Sequence, residues 1–241
     1  MKENNNFAEG IRDGIPICLG YFSVAFAFGI FSVESGLGIL QTLLISMTNV
    51  TSAGQLAGVP IIVAGGTLIE LAVAQLVINL RYALMSVSLS QKLGATVSLL
   101  DRFIISFVNT DEVFAVASGK KGLVGKKYLY GLILTPYIGW SMGTLLGAGA
   151  GNILPASVVS ALGIAIYGMF VAIVMPEAKK SRATALCVLT AIVLSCCFEY
   201  IPFLASVPAG FTVIICAVAA SGLFAWLAPV PVQYEEVGND E

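Results

Sequence analysis

The residues of this chain that could do chemistry are few, and most of them interrupt long apolar runs. One group is Asn49, Thr51, Ser52 and Gln55, a second is Glu70, Gln75, Asn79 and Arg81, and a third is Asn109, Thr110, Asp111 and Glu112. An ionisable or amide side chain held among apolar neighbours binds a polar solute, relays a proton or joins two helices. Hydrolytic chemistry finds no support. Gly139-Trp140-Ser141-Met142-Gly143 matches the GxSxG pattern, but the chain has no histidine to take the proton and the setting is an apolar run, not a strand-to-helix turn. The lack of histidine also removes the commonest metal ligand, so no catalytic residue, metal or cofactor is expected. Cys18, Cys187, Cys196, Cys197 and Cys216 show no CxxC spacing and read as free thiols packing as small hydrophobes.

Helical spacing limits how these groups can combine. Glu70 and Arg81 fall on nearly one face, but eleven residues separate them by roughly 16 Å, so they cannot pair directly. Glu70 reads as mid-run, either a proton or substrate-ammonium site or an acid hydrogen-bonded between helices. Gln75 and Asn79 form an i, i+4 polar pair on another face. The adjacent acids Asp111 and Glu112 point about 100° apart, so at most one faces a given cavity. Asn109 or Asp111 is placed to cap the helix that follows, with Glu112 near its positive end.

The elements that must carry these residues follow from composition. Of 241 residues 58% are hydrophobic and 11% charged, against about a quarter charged in a soluble domain, and the mean hydropathy is +0.93. Apolar runs lie near 14–33, 38–58, 60–80, 84–100, 103–118, 128–151, 158–176, 184–201 and 209–228. They are apolar on every face, which favours helices over a barrel. The predicted fold is all-α: a polytopic integral membrane helical bundle of about 6–8 transmembrane helices. Residues 1–13 form an N-terminal cytoplasmic segment, 14–228 a single transmembrane domain and 229–241 an acidic tail. The basic clusters Lys120, Lys121, Lys126, Lys127 and Lys179, Lys180, Arg182 mark loops on the cytoplasmic face of the inner membrane, which also places both termini there. Such clusters between bilayer-length runs do not indicate nucleic-acid binding.

Two runs are too polar to be plain spans, near 48–55 and near 109–112. Each is either a span with a broken middle or a re-entrant hairpin, and either form puts non-helical backbone at membrane depth, tolerated only inside protein or beside a watery cavity. Ser46-Met47-Thr48-Asn49 and Ser106-Phe107-Val108-Asn109 share the form Ser-x-x-Asn, a faint internal repeat of the kind transporters carry. A glycine every fourth residue at Gly139, Gly143, Gly147 and Gly151 makes a smooth strip for close helix packing, or for a partner subunit.

Several motifs resemble a known family. Asn79-Leu80-Arg81-Tyr82 with Ser86, Ser88 and Leu89 is similar to an Asn-Leu-Arg-His signature, and Thr110-Asp111-Glu112-Val113-Phe114-Ala115 to a Thr-Asp-Glu-x-Phe-Ala motif. Both belong to the large subunit of the azaleucine-resistance (AzlC-type) branched-chain amino-acid exporters. Gly10-Ile11-Arg12-Asp13-Gly14-Ile15-Pro16, Ala27-Phe28-Gly29 and the Trp140 to Gly147 stretch extend the resemblance over about residues 7–176. Thr51-Ser52-Ala53-Gly54-Gln55 departs from the family's Ala-Gly-Ala-Ser-Gln, and Tyr82 replaces its histidine. The resemblance implies efflux of valine, leucine or isoleucine with a small AzlD-type membrane subunit, for which the Gly139/Gly143/Gly147/Gly151 face is a candidate.

A zwitterionic substrate needs donors for its carboxylate and acceptors for its ammonium. Backbone amides near Asn49, Thr51, Ser52 and Gln55 suit the carboxylate, with Asn79 or Arg81 as alternatives; Asp111, Glu112 or Glu70 suit the ammonium, Glu70 or Asp111 a coupled proton or ion, and Asn109 is a further candidate for binding the substrate. The alternatives are an intramembrane enzyme and a non-transporting assembly subunit.

Overall fold

A computed structural model describes residues 3–151, Pro155, Ser157, Gly168, Val171, 174–176, 178–179 and 181–228 apart from Ala205. The run at 158–176 and the acidic tail lie essentially outside the described residues. The described residues are all-α with almost no strand, and the chain divides into two compact units, Met1–Val171 and Ala172–Glu241.

The first unit is built on two long helices, α1 (Phe7–Glu34) and α7 (Lys126–Ala150). Asn6 starts α1 by accepting from the backbone N–H of Ala8 and Glu9. The helices run parallel in close contact, since a side chain added at Gly139 would meet Cys18, at Gly143 the Phe22 carbonyl and at Gly147 the Phe26 carbonyl. Gly10 and Gly14 of α1 approach Tyr128 and Leu132 of α7 in the same way. Small residues on both faces let the backbones touch, which in lipid replaces the hydrophobic drive as the source of packing energy. The glycine strip is therefore filled by α1, the close helix packing that its spacing predicts.

Between these helices lie α2 (Ile39–Thr48), α3 (Ser52–Val63), α4 (Leu68–Ser90), α5 (Leu99–Phe107) and α6 (Asp111–Gly119). The runs expected at 60–80 and 84–100 are in fact one helix, α4, followed by a turn. Arg81 does not end it, because Asp111 pairs with the guanidinium at 2.8 Å.

One end of the unit carries the N-terminus. There β1 (Glu3–Asn4) pairs in parallel with β2 (Leu123–Val124), and Leu93, just after α4, bridges Val124. Lys120 ties the end of α6 to the start of α1 through Glu9 at 2.7 Å and Asp13 at 2.6 Å. Hydrogen bonds to Asp13 and Glu9 hold its ammonium above the ordinary lysine range. We call this end proximal.

The helices α2, α3, α5 and α6 are too short to cross. α2 has 10 residues and α3 has 12, about 15 and 18 Å, against ~30 Å of hydrocarbon. α2 begins beside the distal end of α1, where Ser32 and Thr42 hydroxyls bond at 2.8 Å, and reaches mid-depth, where Tyr137 of α7 donates to the Met47 carbonyl at 3.1 Å. α3 then returns along α4, Gly54 lying against Gln75, Gly58 against Leu71 and Gly66 against Glu70. The second pair mirrors this from the proximal end. α5 starts near Tyr130, which donates to Asp101 at 2.7 Å, reaches Tyr137 through Phe107 (ring centroids 6.4 Å), and α6 returns to Lys120. Both interruptions expected from the sequence are thus real breaks, and both are re-entrant hairpins entering from opposite ends.

In the second unit α8 (Arg182–Tyr200) and α9 (Ala209–Leu227) pack against each other across residues 201–208. Ser181 caps α8 by accepting from Thr184. Among the described helices α1, α4, α8 and α9 are long and apolar enough to cross a bilayer. α7 is as long, with its hydropathy diluted by Gly, Thr, Ser and Tyr. All five cysteines are free, as expected.

Candidate functional site

The tips of the two hairpins meet. Thr48, Val50 and Thr51 from the first and Ser106, Phe107, Asn109 and Thr110 from the second line one cavity of about 130 Å³, closed on a third side by Asn79 and Tyr82 of α4. That volume is several times the ~30 Å³ of one liquid water. Tyr137 stands between the tips, its hydroxyl on Met47 and its ring on Phe107.

Each tip presents a helix N-terminus. Thr51 and Thr110 are the N-caps of α3 and α6, and neither side chain makes the usual capping bond. The structure so corrects the expectation that Asn109 or Asp111 caps α6. The first intrahelical acceptors are reached only by the N–H groups of Gln55 and Phe114, so the preceding three amides of each helix are left to a ligand or water.

Asn49 donates to Gln75 Oε1 at 2.9 Å, Asn79 donates to the same oxygen at 3.2 Å, and Gln75 Nε2 donates to the Gly54 carbonyl at 2.8 Å. Gln75 therefore fastens the first tip to α4. Gly54 has no room for a side chain there, since a Cβ would meet Gln75 Oε1, Thr51 and Asn49. Asn109 Nδ2 donates to Ser86 at 3.1 Å. That leaves Asn109 Oδ1 and Asn79 Oδ1 buried without a hydrogen-bond partner among the described residues, and both residues line the cavity.

The charged groups ring the cavity without lining it. Arg81 pairs with Asp111, the side chains 53% and 45% exposed, and lies 4.9 Å above the Tyr82 ring. Tyr82 accepts from Arg81 at 3.1 Å and donates to Thr51 at 3.4 Å. Glu112 turns the other way, to Tyr21 of α1, as the 100° offset between neighbouring acids requires.

Of the residues expected at the site, Thr51, Asn79 and Asn109 line the cavity; Asn49, Arg81, Asp111 and Glu112 stand one layer behind. Ser52 opens α3 beside the first tip. Gln55 is fully buried with both amide atoms lacking a partner among the described residues, but it is not part of the cavity wall. Glu70 is misplaced by the sequence reading. It sits not mid-run but in the first turn of α4 at the distal end, its N–H bonded to the Thr67 cap at 3.1 Å. Sequence reasoning missed Tyr21, Gln75 as the hub and Tyr137. Only Gln75 carried a signal, its i, i+4 spacing from Asn79.

Fold and site together define an all-α membrane protein with a transporter-like role, its polar centre made by broken helices. The AzlC protein family model matches residues 16–154, more than half of the sequence, and the chain belongs to the AzlC family. It is 29% identical to inner membrane protein YgaZ of Escherichia coli strain K12 over 195 residues, 78% of each chain. It is 31% identical to an uncharacterized membrane protein of Archaeoglobus fulgidus over 187 residues, 77% of this chain and 82% of that one. No solved structure matches.

Proposed function

We propose that the chain is a secondary transporter exporting branched-chain or similar hydrophobic amino acids across the cytoplasmic membrane, driven by an ion gradient. The observation that carries the reading is the meeting of two unlike helix N-termini in one cavity. The first turn of α3 holds no acid, whereas that of α6 begins with Asp111 and Glu112. The positive end of α3 suits the substrate carboxylate. At the other tip the two acids offset the helix dipole, and the open oxygens of Asn109 and Asn79 suit the ammonium. Asp111 is assigned the role of holding Arg81 and the second tip in register.

The proximal end, with its basic loop, is assigned to the cytoplasm together with both termini. A small AzlD-type subunit is proposed to dock away from the glycine strip, which α1 occupies. Counterflow of labelled valine, leucine and isoleucine in proteoliposomes, with and without that subunit, tests the function. Absence of exchange for all three in both preparations overturns it. A cysteine placed at Lys121 is expected to react only with reagents on the cytoplasmic side.

A further inference from the structure

The Tyr21 hydroxyl, about 21 Å along α1, lies 2.5 Å from Thr110 Oγ1 and in hydrogen-bond contact with Glu112 Oε2. A phenol carries one hydrogen and can donate to only one of the two at a time. Tyr21 and Thr110 are buried, and the ring is held edge-on against Trp140 at 5.2 Å. Glu112 keeps part of its surface exposed, where a proton can arrive. Thr110 is the only one of the three that also lines the cavity between the hairpin tips. Its hydroxyl does not cap α6, so Tyr21 decides which way it points.

We propose that Glu112, Tyr21 and Thr110 form a proton-driven hydroxyl switch that sets whether the cavity is offered a hydrogen-bond acceptor or a donor. Ionised Glu112 only accepts, so Tyr21 donates to it and Thr110 donates to Tyr21, leaving the Thr110 lone pair to the cavity. Once Glu112 binds a proton it donates to the Tyr21 oxygen, Tyr21 donates to Thr110, and the Thr110 O–H is released into the cavity. One O–H bond forms, at Glu112, and the rest is rotation of hydroxyls. Other titratable groups nearby are Asp111 on the same helix, Arg81 and Tyr82 from α4, and Tyr21 from α1; from α7 the Trp140 indole abuts Tyr21 and does not titrate.

The consequence for transport rests on the amino-acid reading above. An ammonium needs acceptors, so it favours ionised Glu112, and by reciprocity a bound amino acid repels the proton. Proton and substrate then exclude each other, which is the condition for exchange in opposite directions.

The switch is tested on the reconstituted full chain without ligand by pH-difference infrared spectroscopy. A tyrosine C–O band is expected to move together with a protonated-carboxyl band, both lost in Glu112→Gln and the tyrosine component lost in Tyr21→Phe. A carboxyl band that titrates with no tyrosine change overturns the switch. Calorimetry with L-valine then tests coupling. Over the pH range in which the protonated-carboxyl band is present, the wild-type Kd falls about tenfold for each unit rise in pH, with about one proton released per valine. Tyr21→Phe and Thr110→Val lose that dependence and Thr110→Ser keeps it. Proton release that survives Tyr21→Phe overturns the coupling. A tyrosine switch in a protein that binds neither valine, leucine nor isoleucine upholds the switch and overturns the amino-acid reading instead.

Discussion

The two hairpin tips are built from one pattern and made into chemical opposites. Each ends a short helix on Ser-x-x-Asn and starts another behind an uncapped threonine. The first tip is then secured by neutral amides, with Gln75 bonded to Asn49, Asn79 and the Gly54 carbonyl, and it keeps the positive end of α3 free of acids. The second is secured by charge, with Asp111 on Arg81 and Glu112 on Tyr21. A helix dipole worth about half an elementary charge is reversed by one carboxylate in its first turn. On the proposed function, the acids of α6 make that end of the cavity suit a cation and leave the α3 end to an anion.

Removing the difference at its charged side gives the largest expected effect. Asp111→Asn leaves Arg81 without its partner at membrane depth and frees the second tip. Valine export is expected to fall to background with the protein still present in the membrane at wild-type level. Full export in that variant removes Asp111 from the site. The converse change, Ser52→Asp, makes the first tip acidic like the second. It stabilises α3 by about 0.5 kcal/mol through the dipole but is expected to weaken valine binding by roughly tenfold, about 1.4 kcal/mol, through repulsion of the carboxylate. Unchanged affinity would show that the carboxylate does not bind at α3.

A smaller effect is expected at Gln75, where the first tip is fixed but no substrate is touched. Gln75→Leu strands the Asn49 and Asn79 amides, each costing about 1–3 kcal/mol if left dry. The predicted result is a lower thermal midpoint in detergent, with valine counterflow reduced in proportion to the folded fraction.

The breaks themselves were legible because polar residues cannot interrupt a lipid-facing helix without a reason, and Asn49 and Asn109 mark both tips. That the hairpins enter from opposite ends was not. It depends on α4 being one helix, and Arg81 read as a helix end because an isolated guanidinium in hydrocarbon is costly. Its cost is offset by Asp111, thirty residues away in sequence, a contact no local pattern encodes. Glu70 was misplaced although Thr67-x-x-Glu70 is a helix-start signature that places it in a first turn. Tyr21 gave no signal, because a lone tyrosine in an apolar run looks like packing until its hydroxyl has a partner. The glycine strip disclosed close packing but could not name its occupant, which lies more than a hundred residues earlier.

The least disruptive change restores the family residue beside the first tip. Tyr82 donates to Thr51 and lies under Arg81. Histidine has an ordinary pKa of about 6.5, and a charged ring beside Arg81 is disfavoured by like-charge repulsion, so the neutral imidazole prevails at neutral pH. Tyr82→His is therefore expected to retain export within a few-fold at neutral pH and to add a second pH dependence below about pH 6.5, as imidazolium forms next to the carboxylate end of the cavity. Valine binding measured from pH 5 to 8 checks this. In Tyr82→His combined with Tyr21→Phe, only the new titration should remain, because the added charge acts at α3 while the hydroxyl switch acts at α6. Loss of both titrations in the double variant would mean that the two tips share one proton site, and the comparison between them would no longer hold.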